Sequence, residues 1–252
     1  ATSTPDYAFP NQASLVQAKL KAVNAMCFDV SAACSGFITA LDIAASMLKA
    51  GSYKYALVIG SEKMSEIVNW KDRSVCVLFG DGAGAVVLKA VDNNTEDVTG
   101  ASAGQERGII DSNIYNDGTG ASVLTGGRRF SDSCSTDIFI HMDGQEVFKF
   151  AVKSVPTAIE TLLHNNNMNV NDVDKFILHQ ANVRIIESVA KRLKADKDKF
   201  PVNLNEYGNT SSASIPILLD ELNRNGSLKQ GEKLILAGFG AGLSWGSILL
   251  VW

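Results

Sequence analysis

Apolar positions recur along the chain in two rhythms: the spacing of helices, and short unbroken runs with the length of buried strands. Helical spacing is clearest over Gln145–Leu163, where Val147, Phe148, Ala151, Val155, Ala158, Ile159 and Leu162 fall on one side. The same reading predicts helices over Gly36–Leu48, over Val183–Leu193, from Ser214 to Leu222, and over Asn11–Leu20. Gly51 and Gly226 follow two of these as helix-ending residues. Apolar runs predict strands over Met26–Val30, Tyr55–Gly60, Val173–Leu178, Phe200–Leu204 and Lys233–Gly238, and Asp137–Met142 alternates as a half-buried strand would. Two glycine-rich turns, Phe79-Gly-Asp-Gly-Ala-Gly84 and Phe239-Gly-Ala-Gly242, each lead into a further strand run.

Placed in order, these elements describe one α/β unit twice. Strand, turn at Cys34, helix, strand, glycine turn and strand in the first copy correspond to strand, turn at Asn209, helix, strand, glycine turn and strand in the second. The second copy has earlier elements: the strand at 137–142, the long helix, the strand ending at His179 and the helix after it. In the first copy Asn11–Leu20 matches that last helix and Ala1–Ser3 the end of the strand before it. Nothing matches the opening strand and helix. The expectation is two halves, 1–135 and 136–252, with the N-terminal half incomplete at its start. The interval Ala90–Ser135 between them is polar and rich in glycine, as surface connectors or a flap over a substrate would be.

With 252 residues, 46% of them hydrophobic, the chain has enough apolar material for one large domain or two fused halves. No apolar run is longer than a strand, and no leader opens the sequence, so a soluble, cytoplasmic setting without membrane contact is expected. A net charge of −4 offers no general nucleic-acid footprint. The four cysteines, Cys27, Cys34, Cys76 and Cys134, match neither zinc-ligand spacing nor a disulfide framework. Cys27 and Cys76 read as small buried hydrophobes.

Chemistry concentrates in three turns. Cys34 follows a strand run and precedes a helix, where unpaired N–H groups and the helix dipole are expected to lower the thiol pKa. His179 ends the apolar run Phe176-Ile-Leu178 at a helix start. Asn209 lies between Gly208 and a run of small hydroxyl residues. A thiol with an imidazole can form an acyl-enzyme, and an imidazole with a carboxamide can hold an oxyanion with two neutral hydrogen bonds. Alone, each has a plainer reading as a buried thiol, a satisfied histidine or a turn residue. His141 and His164 keep such structural readings. The glycine turns lead into strands, whereas a dinucleotide fingerprint opens a helix, so they are read as points of close backbone approach.

The segments Ala32-Ala-Cys34-Ser-Gly-Phe37, His179-Gln-Ala-Asn-Val-Arg184 and Gly208-Asn-Thr-Ser211, in this order, resemble β-ketoacyl-acyl-carrier-protein synthase III along essentially the whole chain. The resemblance implies a thiolase-like, duplicated five-layer αβαβα fold and an obligate homodimer. It implies decarboxylative condensation of an acyl-coenzyme A primer with malonyl-acyl-carrier protein, with no cofactor beyond the coenzyme A thioester substrate and no metal. Cys34 becomes the acyl acceptor, and His179 and Asn209 the pair binding the malonyl thioester carbonyl. The backbone N–H groups of Cys34 and Ala241 become a second oxyanion hole, with Ala241 standing where many members have glycine. Phe9 matches the residue that closes the partner's acyl pocket across the dimer. Arg73 and Arg184 match basic positions near the coenzyme A or carrier entrance. Residues 184–199 carry six cations against three anions, a local +3 suited to an acidic carrier.

Two rivals remain at this point. A papain-like hydrolase uses Cys, His and Asn in the same chain order, but its Cys-Gly-Ser/Ala-Cys-Trp/Tyr signature is absent. A non-catalytic dimerising or carrier-binding fragment is the other.

Overall fold

The computed structural model describes residues 1–91, 107–127 and 137–252. Its helices are α1 (Gln12–Leu20), α2 (Gly36–Lys49), α3 (Gly144–Asn165), α4 (Val183–Leu193), α5 (Leu204–Tyr207) and α6 (Ser214–Arg224). Its strands are β1 (Tyr55–Lys63), β2 (Asp81–Lys89), β3 (Gly108–Asn116), β4 (Leu124–Thr125), β5 (His141–Met142), β6 (Lys175–Leu178), β7 (Lys233–Gly240) and β8 (Ser244–Val251). The 3₁₀ turns Ala33–Ser35 and Ser211–Ala213 lead directly into α2 and α6.

β1 and β2 pair antiparallel from Tyr55–Lys89 to Lys63–Asp81. Ala1 lies beside β1: its amino group donates to the Ile59 carbonyl at 2.7 Å, and its carbonyl accepts from Ser61 N at 3.1 Å. That is the bond pattern of a parallel neighbour. The second sheet has the order β3-β8-β7-β6, with β6 parallel to β7 and the other pairs antiparallel.

Helices α2 and α6 form the middle layer. Phe37, Ile38 and Leu41 of α2, with Ile215 and Leu218 of α6, pack among Val58 of β1 and Ile177, Leu234, Leu236 and Ile248 of the larger sheet. On that sheet's other face Val155 and Ile159 of α3 and Ile186 and Val189 of α4 meet Phe176, Ile235 and Leu249. Successive residues of β7 therefore feed different cores, which is why its sequence is continuously apolar instead of alternating. The fold carries the repeat. β1–β2 matches β7–β8, α2 matches α6, and Ala33 and Ser211 enter their turns with φ of 45° and 50°. Among the described residues, no strand flanks β2 as β3 flanks β8, and no helix of the first half matches α3.

Several expected elements differ. Met26–Val30 and Phe200–Leu204 form no strand. Phe200 is buried instead by stacking on Phe176 at 4.6 Å between ring centroids, and a short helix begins at Leu204. Of 137–142 only His141–Met142 pairs, with Leu124–Thr125. β3 lies in the interval read as connector: its polar residues are masked by partners, Asp111 accepting from Asn166 at 2.8 Å, Ser112 bonding Asp42, and Asn113 accepting from Ser247 N at 3.0 Å. The remainder of that interval, 92–106 and 128–136, which includes Cys134, lies outside the described residues. Gly82 and Gly84 sit within β2, not in a turn before it. A Cβ on Gly84 would lie 2.8 Å from Ile217 N, so the glycines let α6 press on the strand. Cys27 and Cys76 are half-buried, not buried.

Candidate active site

Cys34 occupies the 3₁₀ turn that feeds α2 and is 7% exposed. Burial pushes its thiol up to about 12; the neighbouring Ser211 side chain works against that rise, and the Glu62 carboxylate adds to it. The expected acidified thiol is therefore corrected: loss of water outweighs the favourable turn geometry.

His179 follows β6 and is held by its backbone N–H donating to the Ala237 carbonyl at 2.8 Å. Its ring meets Phe239 edge-on, with centroids 5.2 Å apart, and is 1% exposed. Burial drives its pKa down to about 3, so the ring is neutral at pH 7. Nδ1 lies 2.7 Å from Ser214 Oγ, which donates to the Ser211 carbonyl at 2.9 Å. A hydroxyl has one hydrogen. With that hydrogen on Ser211, Ser214 accepts from Nδ1–H, and Nε2 carries the lone pair.

Asn209 reaches the site from a loop pinned to the first half of the chain. Its N–H donates to the Leu78 carbonyl at 2.8 Å, and its carbonyl accepts from Gly80 N at 3.0 Å. Its side-chain Oδ1 accepts from Ser211 N at 2.8 Å, which leaves the NH₂ end as a donor.

Ser211 thus joins all three predicted groups. Its side chain touches the Cys34 thiol, its N–H orients Asn209, and its carbonyl anchors Ser214 against His179. The residue matched to Cys34 by the repeat is Ser212, not Asn209, which precedes it by three positions. Glu62 supports the same junction. Buried on the inward face of β1 with Val58 and Gly60, it accepts from Ser212 Oγ at 2.8 Å, Ser3 N at 2.9 Å and Thr4 Oγ1 at 3.0 Å. Sequence reading passed over Ser211, Ser214 and Glu62. The usable signals were the hydroxyl run after Asn209 and an acid at an inward position of an apolar strand.

The second glycine turn presses on Cys34. A Cβ on Gly240 would stand 2.8 Å from Cys34 N and 3.1 Å from its Cβ. Ala241 follows at the end of β7, so the turn brings its backbone close to that of Cys34. The remaining predicted residues lie further out. Phe9 is 86% exposed, and Arg73 and Arg184 are also exposed, Arg184 in the first turn of α4 behind the Asn182 cap. His141 pairs with Asp137 at the surface, and His164 lies in the last turn of α3. Among the described residues, no group of His, Cys, Asp and Glu is arranged to hold a metal ion, and no helix is long and apolar enough to cross a membrane.

Comparison with known proteins gives a consistent result. Residues 28–118 match the family model described as 3-oxoacyl-[acyl-carrier-protein] synthase III, and residues 163–252 match that of its C-terminal region. The chain is 46% identical to beta-ketoacyl-[acyl-carrier-protein] synthase III of Clostridium acetobutylicum, over all of the chain and 75% of that protein. Identity to the Clostridium tetani protein of the same name is 44%, over all of the chain and 76% of the relative. Among solved structures, the 3-oxoacyl-[acyl-carrier-protein] synthase III of Aquifex aeolicus superposes with a TM-score of 0.89 at 45% identity, covering all of this chain and 75% of that one. The Pseudomonas aeruginosa enzyme superposes at 0.90 with 37% identity and the same coverage.

Proposed function

Since this chain belongs to the 3-oxoacyl-[acyl-carrier-protein] synthase III family, condensing enzymes of the acyltransferase type with a thiolase-like fold, we propose that it joins an acyl-coenzyme A primer to malonyl-acyl-carrier protein through an acyl group on Cys34. The observation carrying this reading is the Ser211–Ser214 relay, which ties a thiol, a neutral imidazole and a carboxamide into one buried junction.

Acylation comes first. The Cys34 proton passes to His179 Nε2 as Sγ bonds the acyl carbon. The bond to coenzyme A sulfur breaks, and the departing thiolate takes that proton back. A thiol pushed up to about 12 reacts by this coupled transfer, not as a standing thiolate. The backbone N–H groups of Cys34 and Ala241 hold the oxyanion. In the second stage malonyl-acyl-carrier protein loses carbon dioxide, and its carbanion attacks the acyl-cysteine. His179 and Asn209 donate to the thioester carbonyl of the malonyl group. For this the Ser214 hydroxyl turns from the Ser211 carbonyl to Nδ1, and the ring proton exchanges with water to reach Nε2. Burial keeps the ring neutral, so it donates a hydrogen bond without delivering a full proton to the carbanion.

Residues 1–135 and 136–252 are taken as the two thiolase-like halves, with β3 crossing to complete the second sheet. The working unit is proposed to be a homodimer in which Phe9 closes the partner's acyl pocket, with Arg73 and Arg184 at the coenzyme A or carrier entrance. Replacing Cys34 by Ser should abolish condensation with malonyl-acyl-carrier protein in a radiolabelled-acyl assay. Condensation at the wild-type rate in that variant would sink the assignment.

A further inference from the structure

Behind the proposed oxyanion hole lies a pair of hydroxyls that the mechanism above does not use. Ser35 and Ser244 are 0% and 3% exposed, and their Oγ atoms are 2.6 Å apart across 209 residues of sequence. Ser35 belongs to the turn carrying Cys34, and Ser244 opens β8 after the glycine turn carrying Ala241. Ser35 Oγ is also 2.7 Å from the Ala32 carbonyl, and Ser244 Oγ is 2.8 Å from the Ala241 carbonyl.

These are three short contacts sharing two hydroxyl hydrogens, so one contact lacks a proton at any moment. The Ala32 carbonyl already accepts from Ser35 N at 3.1 Å. The Ala241 carbonyl has no other hydrogen-bond donor among the described residues. The arrangement that leaves no group unpaired therefore runs Ser35 O–H to Ser244 and Ser244 O–H to Ala241. We infer that Ser244, backed by Ser35, is a positioning residue: it fixes the Ala241 peptide against the Cys34 turn and sets the spacing of the two N–H donors that receive the acyl oxyanion. The inference rests on the acyl-cysteine reading above.

The direction of the relay makes the test asymmetric. Single-turnover acylation of Cys34 by acetyl-coenzyme A is followed by intact-protein mass spectrometry, and malonyl-coenzyme A decarboxylation, which uses His179 and Asn209, is followed in parallel. Ser244→Ala should slow acylation by about 10-fold or more, against the ~10²–10³ seen when an oxyanion donor is deleted outright. The substrate concentration for half-maximal rate should move less than about 2-fold. Ser35→Ala, which leaves the Ser244–Ala241 bond in place, and Ser244→Thr, which restores the hydroxyl, should stay within about 3-fold, as should decarboxylation in every variant. Equal losses in both half-reactions, equal losses at Ser35 and Ser244, or acylation of Ser244→Ala at the wild-type rate would overturn this role. A wild-type chain that forms no adduct while the assay succeeds on a solved relative would remove the acyl-cysteine reading, and this role with it.

Discussion

Gly240→Ala isolates the contact between the glycine turn and Cys34, the proposed acyl acceptor. Gly240 does not have a left-handed φ, so alanine is acceptable to its backbone, and the whole effect is steric. The new methyl would meet Cys34 N at 2.8 Å, where ordinary contacts begin at 3.4 Å. Backbone cannot swing aside as a side chain would, so the Cys34 turn has to retreat by about half an ångström. A misplacement of ~1 Å costs about 10²-fold in a positioned reaction. Acylation of Cys34 should then slow by roughly 10-fold to 10²-fold, or about 1.4–2.7 kcal/mol of barrier. Overpacking of this kind costs about 1–3 kcal/mol of stability, so thermal unfolding is measured on the same sample. The assay is the time course of the acyl adduct under excess acyl-coenzyme A. Gly118→Ala, with nothing within 4 Å of the added methyl, serves as the control and should be unchanged. A folded Gly240→Ala protein acylating within about 3-fold of wild type would refute the claim that this turn sets the nucleophile's position.

Two further predictions concern charge. With the Cys34 thiol at about 12 against a reference of 9.0, the folded chain keeps a proton that the unfolded chain loses, so stability falls as pH rises from 9 to 12, by about 1.4 kcal/mol per pH unit. Urea unfolding at pH 8.5 and 10.5 should show this loss in wild type and its absence in Cys34→Ser, and identical pH slopes would contradict the burial argument. His179 acts at the other limb: its pKa of about 3 against 6.5 makes stability fall as pH drops through that window. Arg184→Glu should depress activity with carrier-bound malonate far more than acylation by acyl-coenzyme A, measured as separate half-reactions, and equal losses would count against a docking role.

How far the sequence could be read depended on what holds each element together. Val183–Leu193 was legible to the residue because its apolar face, its Asn182 cap and its basic last turn agree. β3 was not, since its polar side chains meet Asp42, Asn166, Ser247 and the Ala158 carbonyl, partners distant in sequence that no local window contains. Phe200–Leu204 failed for a related reason: a short apolar run serves equally for a strand and for a stacked aromatic over a turn. At the candidate site, sequence could nominate Cys34, His179 and Asn209 but not their electrostatics. Turn position argued for an acidic thiol, whereas burial, a tertiary quantity, decides the opposite direction. The hydroxyls of Ser211, Ser214 and Ser244 looked like ordinary small residues, and their meaning lies in which atoms they meet.

The central claim is that a buried sulfur, reached by substrate and served by His179, carries the acyl group. Incubating the chain with an acyl-coenzyme A and mapping the modified peptide tests it most directly. The account predicts one adduct, on Cys34, lost again when malonyl-acyl-carrier protein is added and retained when Asn209 is replaced by Ala. An adduct confined to Cys27 or Cys76, with Cys34 unmodified at saturating thioester, would contradict it.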